Sequence, residues 1–322
     1  MSPNNILWVD NGASGTGSGT PGTPYNSLEA ALEAAPGRYS PEDPGLAIML
    51  IGGHSAYGRI DLGDYTGIDF NLAIIGRSIR PQFQILDEVE SSPYTISTSY
   101  NNKLYLSSID ITNSTEPGAY CQGGPESGLW LDNMTITETT GGAVVANSCP
   151  LSIHKSIIYN NVGPGIRITG NSSLHIESSL ITNNSDTGVR AENSSNIDLT
   201  YSTIVNNPTS NITCSSDITG AIRNSIIINP SSISDNIDCQ NITATADDGN
   251  VANATINKEE VSFIDLRSWF LNIEHGDLHL SDTGQMFFKD KATWNIGDSL
   301  YDVDGDPRPG IDGGPTYPGA DE

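Results

Sequence analysis

Four residues able to carry acid–base or ligand chemistry recur at one spacing. His154 stands 23 residues before Glu177, and His175 stands 23 residues before Asp198. Set on successive units of a 23-residue repeat, they fall into two neighbouring columns, His154–Glu177–Thr200–Arg223 and Ser152–His175–Asp198–Ala221. With strands in register, Glu177 and Asp198 lie on a diagonal, about 8 Å apart at the backbone. Two carboxylates at such a separation can act as general acid and general base in inverting glycoside hydrolysis. The plain alternative is a solvated polar face, whose charged groups need no function. The turns beside these columns, GNSS at 170–173 and ENSSN at 192–196, are small and polar and build no wall against water. The expectation is therefore proximity without catalysis.

Other residues invite ligand readings. Arg167 and Arg190 share a column, with Val144 before them and Thr213 after. Stacked guanidinium groups repel unless carboxylates or an anionic ligand lie between them, so this column suits either surface ion pairs or a uronate-bearing polysaccharide. Lys155, beside His154, is a further candidate contact. DVDGDPRPG places Asp302, Asp304 and Asp306 at alternate positions, a pattern with calcium-loop character. It lacks the glycine at the sixth position and the glutamate at the twelfth, which is Gly313. A polar turn stiffened by Pro307 and Pro309 is the competing reading. The four cysteines allow three pairings and show no C-x-x-C spacing. Cys214 and Cys239 fall on one inward position of consecutive units, as a disulfide or as stacked thiols, and Cys121 with Cys149 makes a second candidate pair.

The elements that must position these residues are legible as a repeat. Ile153, Ile176, Leu199 and Ile222 follow one another at the same step, as do the pairs Asn160–Asn161, Asn183–Asn184 and Asn206–Asn207. A unit of this length, with short alternating strands and no helix of its own, reads as one coil of a parallel β-helix that buries its apolar side against its neighbours. Ile153, Ile157, Ile166 and Ile168 are expected to point inward, with Arg167 pointing out. The asparagines suit turns, because Asn tolerates the left-handed conformation and amides one coil apart can hydrogen-bond into a ladder. Dividing residues 45–280 by the period predicts about ten coils. The expected architecture is all-β, a single-stranded right-handed parallel β-helix forming one domain over 1–322. Residues 1–44 form its N-terminal cap with a short helix at 27–35, 45–280 its coils and 281–322 its C-terminal cap segment.

Composition narrows the partners. Asp and Glu number 39 against 14 Lys and Arg, a formal charge of −25 that opposes nucleic acid and anionic membranes. No apolar run is long enough for a membrane helix. Abundant Asn, Ser, Thr and Gly, with eight Asn-X-Ser/Thr sites, favour an extracellular or cell-surface setting.

The N-terminal WVDNGASGTGSGTPGTPYNSLEAALEAAPG resembles the opening of right-handed parallel β-helix proteins of the pectate-lyase-like superfamily, where a strand, a Gly-rich loop and a short helix cap the end. GDLHLSDTGQ and the final YPGADE resemble the closing segment of bacterial secreted β-helix repeat proteins, in which Gly319, Ala320 and Glu322 fall in place. The resemblance implies the fold and a secreted or surface-attached bacterial product. The superfamily's lyases use Arg or Lys against a uronate, often with calcium, but no complete lyase motif is present here. The family spans enzymes, binding proteins and structural proteins, so function has to come from the site. The columns are mostly Ser, Thr and Asn. The reading that follows is a protein that binds polysaccharide or a cell-surface glycan, or that serves as a structural surface component with scope for self-association. A lyase or glycoside hydrolase acting on an acidic polysaccharide is the alternative. A groove lined by charged and aromatic side chains would favour that enzyme.

Overall fold

The computed structural model describes residues 5–38, 45–52, 55–64, 71–77, 79–84, 94–99, 102–193, 195–215, 217–228, 237–239, 242–244 and 263–321. The Asn-X-Ser/Thr positions Asn241 and Asn253, and Glu322 of the closing motif, lie outside the described residues. Among the described residues no helix is long and apolar enough to cross a membrane.

Among the described residues, alternating apolar residues build three parallel sheets of ten, seven and eight strands, visited in rotation as the chain winds. The first sheet runs from Ile6–Asp10 through Gly45–Ile51 and Asn71–Arg77 to Ile242–Ala244. In the regular part, Leu151, Leu174 and Ile197 are partners in register at the 23-residue step. Upstream the spacing changes, with Leu46, Leu72, Leu104 and Leu129 successive partners. Residues 263–280, expected among the coils, belong instead to the C-terminal segment, and among the described residues the solenoid has about seven three-sheet turns rather than ten. The helix Leu28–Ala34 is present, its Ser27 side chain accepting from the Ala30 N–H, and Leu28, Ala31 and Leu32 bury in one core with Leu7 and Val9.

Polar ladders hold the corners. Where the second sheet hands over to the third, the first asparagine of each pair takes the left-handed turn, with φ of 56°, 55° and 57° at Asn160, Asn183 and Asn206. The second asparagine turns inward. Asn161 Nδ2 donates to Asn184 Oδ1 at 2.9 Å, Asn184 Nδ2 to Asn207 Oδ1 at 3.2 Å, and Asn207 Nδ2 to Asn211 Oδ1 at 2.9 Å. These amides are buried, so each satisfies its neighbour instead of water. At the corner between the first and second sheets, buried serines do the same. The N–H groups of Ser156, Ser179 and Ser202 donate to the hydroxyls of Ser179, Ser202 and Ser225.

That serine corner corrects one inward assignment. Lys155 takes a left-handed φ of 45° and Ser156 points in, which resets the alternation: Ile158 is fully buried in the core, while Ile157 faces outward. Ile157 is not left in water. Residues 263–321 pack along the outer face of the second sheet, where Leu180, Val205, Ile226 and Ile228 cluster with Leu266, Phe270, Ile273, Leu278, Leu280 and Phe288. This C-terminal segment contains the helices Phe263–Trp269 and Asp282–Phe288 and two antiparallel strand pairs. Both cysteine pairs are disulfides, Cys121–Cys149 with Cα atoms 6.0 Å apart and Cys214–Cys239 at 4.8 Å.

Candidate functional site

The two columns form on the outer face of the first sheet. His154 pairs with Glu177, Glu177 with Thr200 and Thr200 with Arg223; alongside, Ser152 pairs with His175, His175 with Asp198 and Asp198 with Ala221. His154 Nε2 lies 2.6 Å from Glu177 Oε2, His175 Nε2 4.0 Å from the same oxygen, and His175 Nδ1 3.6 Å from Asp198 Oδ2. Both histidine side chains are 42% exposed, whereas Glu177 is only 12% exposed.

The shielding of Glu177 comes from a wall absent from the sequence reading. The Ser299 N–H donates to Glu177 Oε1 at 2.9 Å, and Ser178 Oγ donates to the Tyr301 carbonyl. Lys155 Nζ sits 5.1 Å from the Tyr301 ring centre. The segment is anchored through Asp298, which pairs with Arg223 and accepts from the Tyr201 hydroxyl at 3.1 Å.

The electrostatics follow from this packing. The Asp198 carboxylate, and after it Glu177, push His175 up to about 9 against the opposing effect of burial. Burial alone would raise the Glu177 carboxyl, but His154 and His175 hold it well below the usual carboxylate range. Contact with His175 lowers Asp198 as well. Neither carboxyl is the raised-pKa acid that a carboxylate-pair hydrolase needs. Within the cluster, His175 is the group whose proton is held more tightly than usual.

Upstream, the same columns continue as Tyr105 and Trp130 before Ser152, and as Ser107 and Asp132 before His154. The sequence reading missed these residues. The Tyr105 hydroxyl donates to Asp132 Oδ2 at 2.8 Å. Gly128 gives the Trp130 indole its place, since a Cβ there would meet the ring at 2.3 Å. A depression of 150 Å³ lined by Tyr105, Trp130, Asp132 and His154 adjoins a groove of 360 Å³ that shares Tyr105 and Trp130 and adds Lys103. The alternation in GLWLD was the available signal, since Leu129 and Leu131 face in and Trp130 and Asp132 must face out.

The other expected ligands lie elsewhere. Arg167 and Arg190 do stack, on the third sheet, but their predecessor is Val145 and not Val144, because the register there steps by 22 residues. Each has its own carboxylate, Glu192 at 2.9 Å and Asp186 at 2.7 Å, so no anionic ligand is required between them. Asp302 Oδ1 accepts from the N–H groups of Asp304, Gly305 and Asp306, folding the loop on itself. Asp304 faces His279 Nε2 at 2.6 Å. The ligand atoms that gather there belong to His279, Asp304 and Asp321. One oxygen of Asp302 is thus engaged with three amides, and Asp304 with an imidazole.

Fold and site together define a right-handed parallel β-helix protein with a histidine–carboxylate groove on one face. Residues 88–229 match the family model described as "Right handed beta helix region". Among solved structures, the chain is similar to the one titled "Crystal structure of pectate lyase Pel9A", with 13% identity, a TM-score of 0.47, and coverage of 95% of this chain and 96% of that one. No curated protein matches the sequence.

Proposed function

We propose that the outer face of the first sheet binds polysaccharide, with the sugar chain lying across the strands along the solenoid axis. The observation that carries this reading is the continuity of one column, Tyr105–Trp130–Ser152–His175–Asp198, from aromatic rings to proton-exchanging groups. Partly exposed rings offer flat apolar platforms for sugar faces, and the carboxylates of Asp132 and Asp198 accept hydrogen bonds from sugar hydroxyls. Two disulfides support an extracellular or cell-surface location.

The walled groove favours a second reading, cleavage of the bound glycan. Charged and aromatic side chains line it, and His175, flanked by two carboxylates, is placed to deliver a proton. A polysaccharide array, read for both binding and product release, tests the two readings. Trp130→Ala is expected to weaken binding at least about tenfold, in line with the loss of a buried aromatic contact. Unchanged affinity in Trp130→Ala and in Tyr105→Ala would remove the first sheet from the account. Product release by the parent, lost in His175→Gln with affinity retained, would make the protein an enzyme.

A further inference from the structure

Three side chains from two successive turns aim one atom each at a common point. One ligand atom from each of His154, His175 and Glu177 lies within 4.8 Å of the other two. Around a tetrahedral ion with ligand bonds of ~2.0–2.1 Å, donor atoms sit roughly 3.3 Å apart. The distances of 2.6 and 4.0 Å from the carboxylate oxygen to the two nitrogens bracket that value, and small side-chain rotations reach it. Two neighbouring strands bonded in register hold the backbones, so the spacing is set by the sheet and not by loops.

The atoms that face away from this point are already supported. Glu177 Oε1 accepts the Ser299 N–H, which leaves Oε2 turned toward the imidazoles. His175 Nδ1 faces the Asp198 carboxylate at 3.6 Å. A histidine backed by a carboxylate, and a carboxylate whose second oxygen is hydrogen-bonded, are the supports that orient metal ligands. We infer that His154, His175 and Glu177 form a three-ligand site for a divalent transition-metal ion of the zinc type. Two imidazoles and one carboxylate select zinc, copper or nickel over the oxygen-seeking calcium and magnesium. With three protein ligands, at least one coordination position is left for water or a ligand in the groove beside Asp132 and Trp130.

The inference is read without any glycan, so its failure and the failure of the polysaccharide reading are separate outcomes. Chelator-stripped protein titrated with zinc chloride in a calorimeter is expected to bind one ion per chain at this site, with no comparable binding of magnesium. His154→Ala and His175→Ala, both at half-exposed positions, should each abolish that binding, and Asp198→Asn should weaken it about 10–100-fold. His279→Ala should leave it intact, which separates the site from the His279–Asp304–Asp321 group. A second measurement does not depend on variants. Zinc should protect His154 and His175, but not His279, from diethyl pyrocarbonate in the wild-type chain, read by peptide mass spectrometry. Absence of zinc binding, binding that survives both histidine substitutions, or protection of His279 alone would overturn the site.

Discussion

At the residue scale, the histidine–carboxylate cluster links charge to folding. In metal-free protein, His175 has a folded-state value of about 9 against an ordinary 6.5, so the stability it contributes is complete below 6.5 and is lost as pH rises through about 9. Glu177 behaves oppositely. Its value is lowered from 4.5, so its contribution is present above 4.5 and lost on acidification below. The cluster should therefore stabilise most between 4.5 and 6.5. Urea unfolding of wild type and Glu177→Gln across that range, continued to pH 9, is expected to show a gap that narrows toward alkaline pH. A gap of constant size from pH 6.5 to 9 would contradict the assignment. The pairing of these four residues was legible because both columns step by 23 at constant register. Tyr105 and Trp130 were not, since the steps from Tyr105 to Trp130 and from Trp130 to Ser152 depart from that period.

At the scale of the element, each asparagine pair divides its labour, and substitutions should show it. Asn160 is exposed and left-handed, so Asn160→Gly should be nearly neutral, whereas Asn160→Ala should cost about 1 kcal/mol. Asn184 is buried within the ladder, and Asn184→Ala removes the acceptor of the Asn161 N–H. A loss of about 1–3 kcal/mol in chemical denaturation is expected, whatever the turn can tolerate. Equal costs for Asn160→Ala and Asn184→Ala would erase the distinction. Periodicity exposed the pairs but could not say which member faces in. That depends on the left-handed residue, which shifts the alternation by one, and the same shift turned Ile157 outward. The loop at Asp302 is likewise an element closed by its own amides. At matched ionic strength, calcium and magnesium should raise the melting temperature equally. A larger rise with calcium alone would restore the carboxylates as a calcium site.

At the scale of the molecule, the core is one continuous stack, from Leu7 at the first strand to Ile222 and Ile227 near the last described turns. Ile176 lies mid-stack and fully buried, so Ile176→Asp should cost several kcal/mol and leave little soluble protein. A soluble variant with an unchanged melting temperature would be incompatible with this core. The stack was readable because each of its contacts joins neighbouring repeats. The position of residues 263–321 was not, because no period ties them to the solenoid: Ser299 meets Glu177 across a separation of 122 residues. That separation gives the groove a history as well as a shape. Its floor is complete once three successive turns have left the ribosome, while its wall waits for residues 298–301, with Ser299 following Glu177 by 122 residues. A nascent chain would thus carry its histidines and Glu177 unshielded while those intervening residues are made.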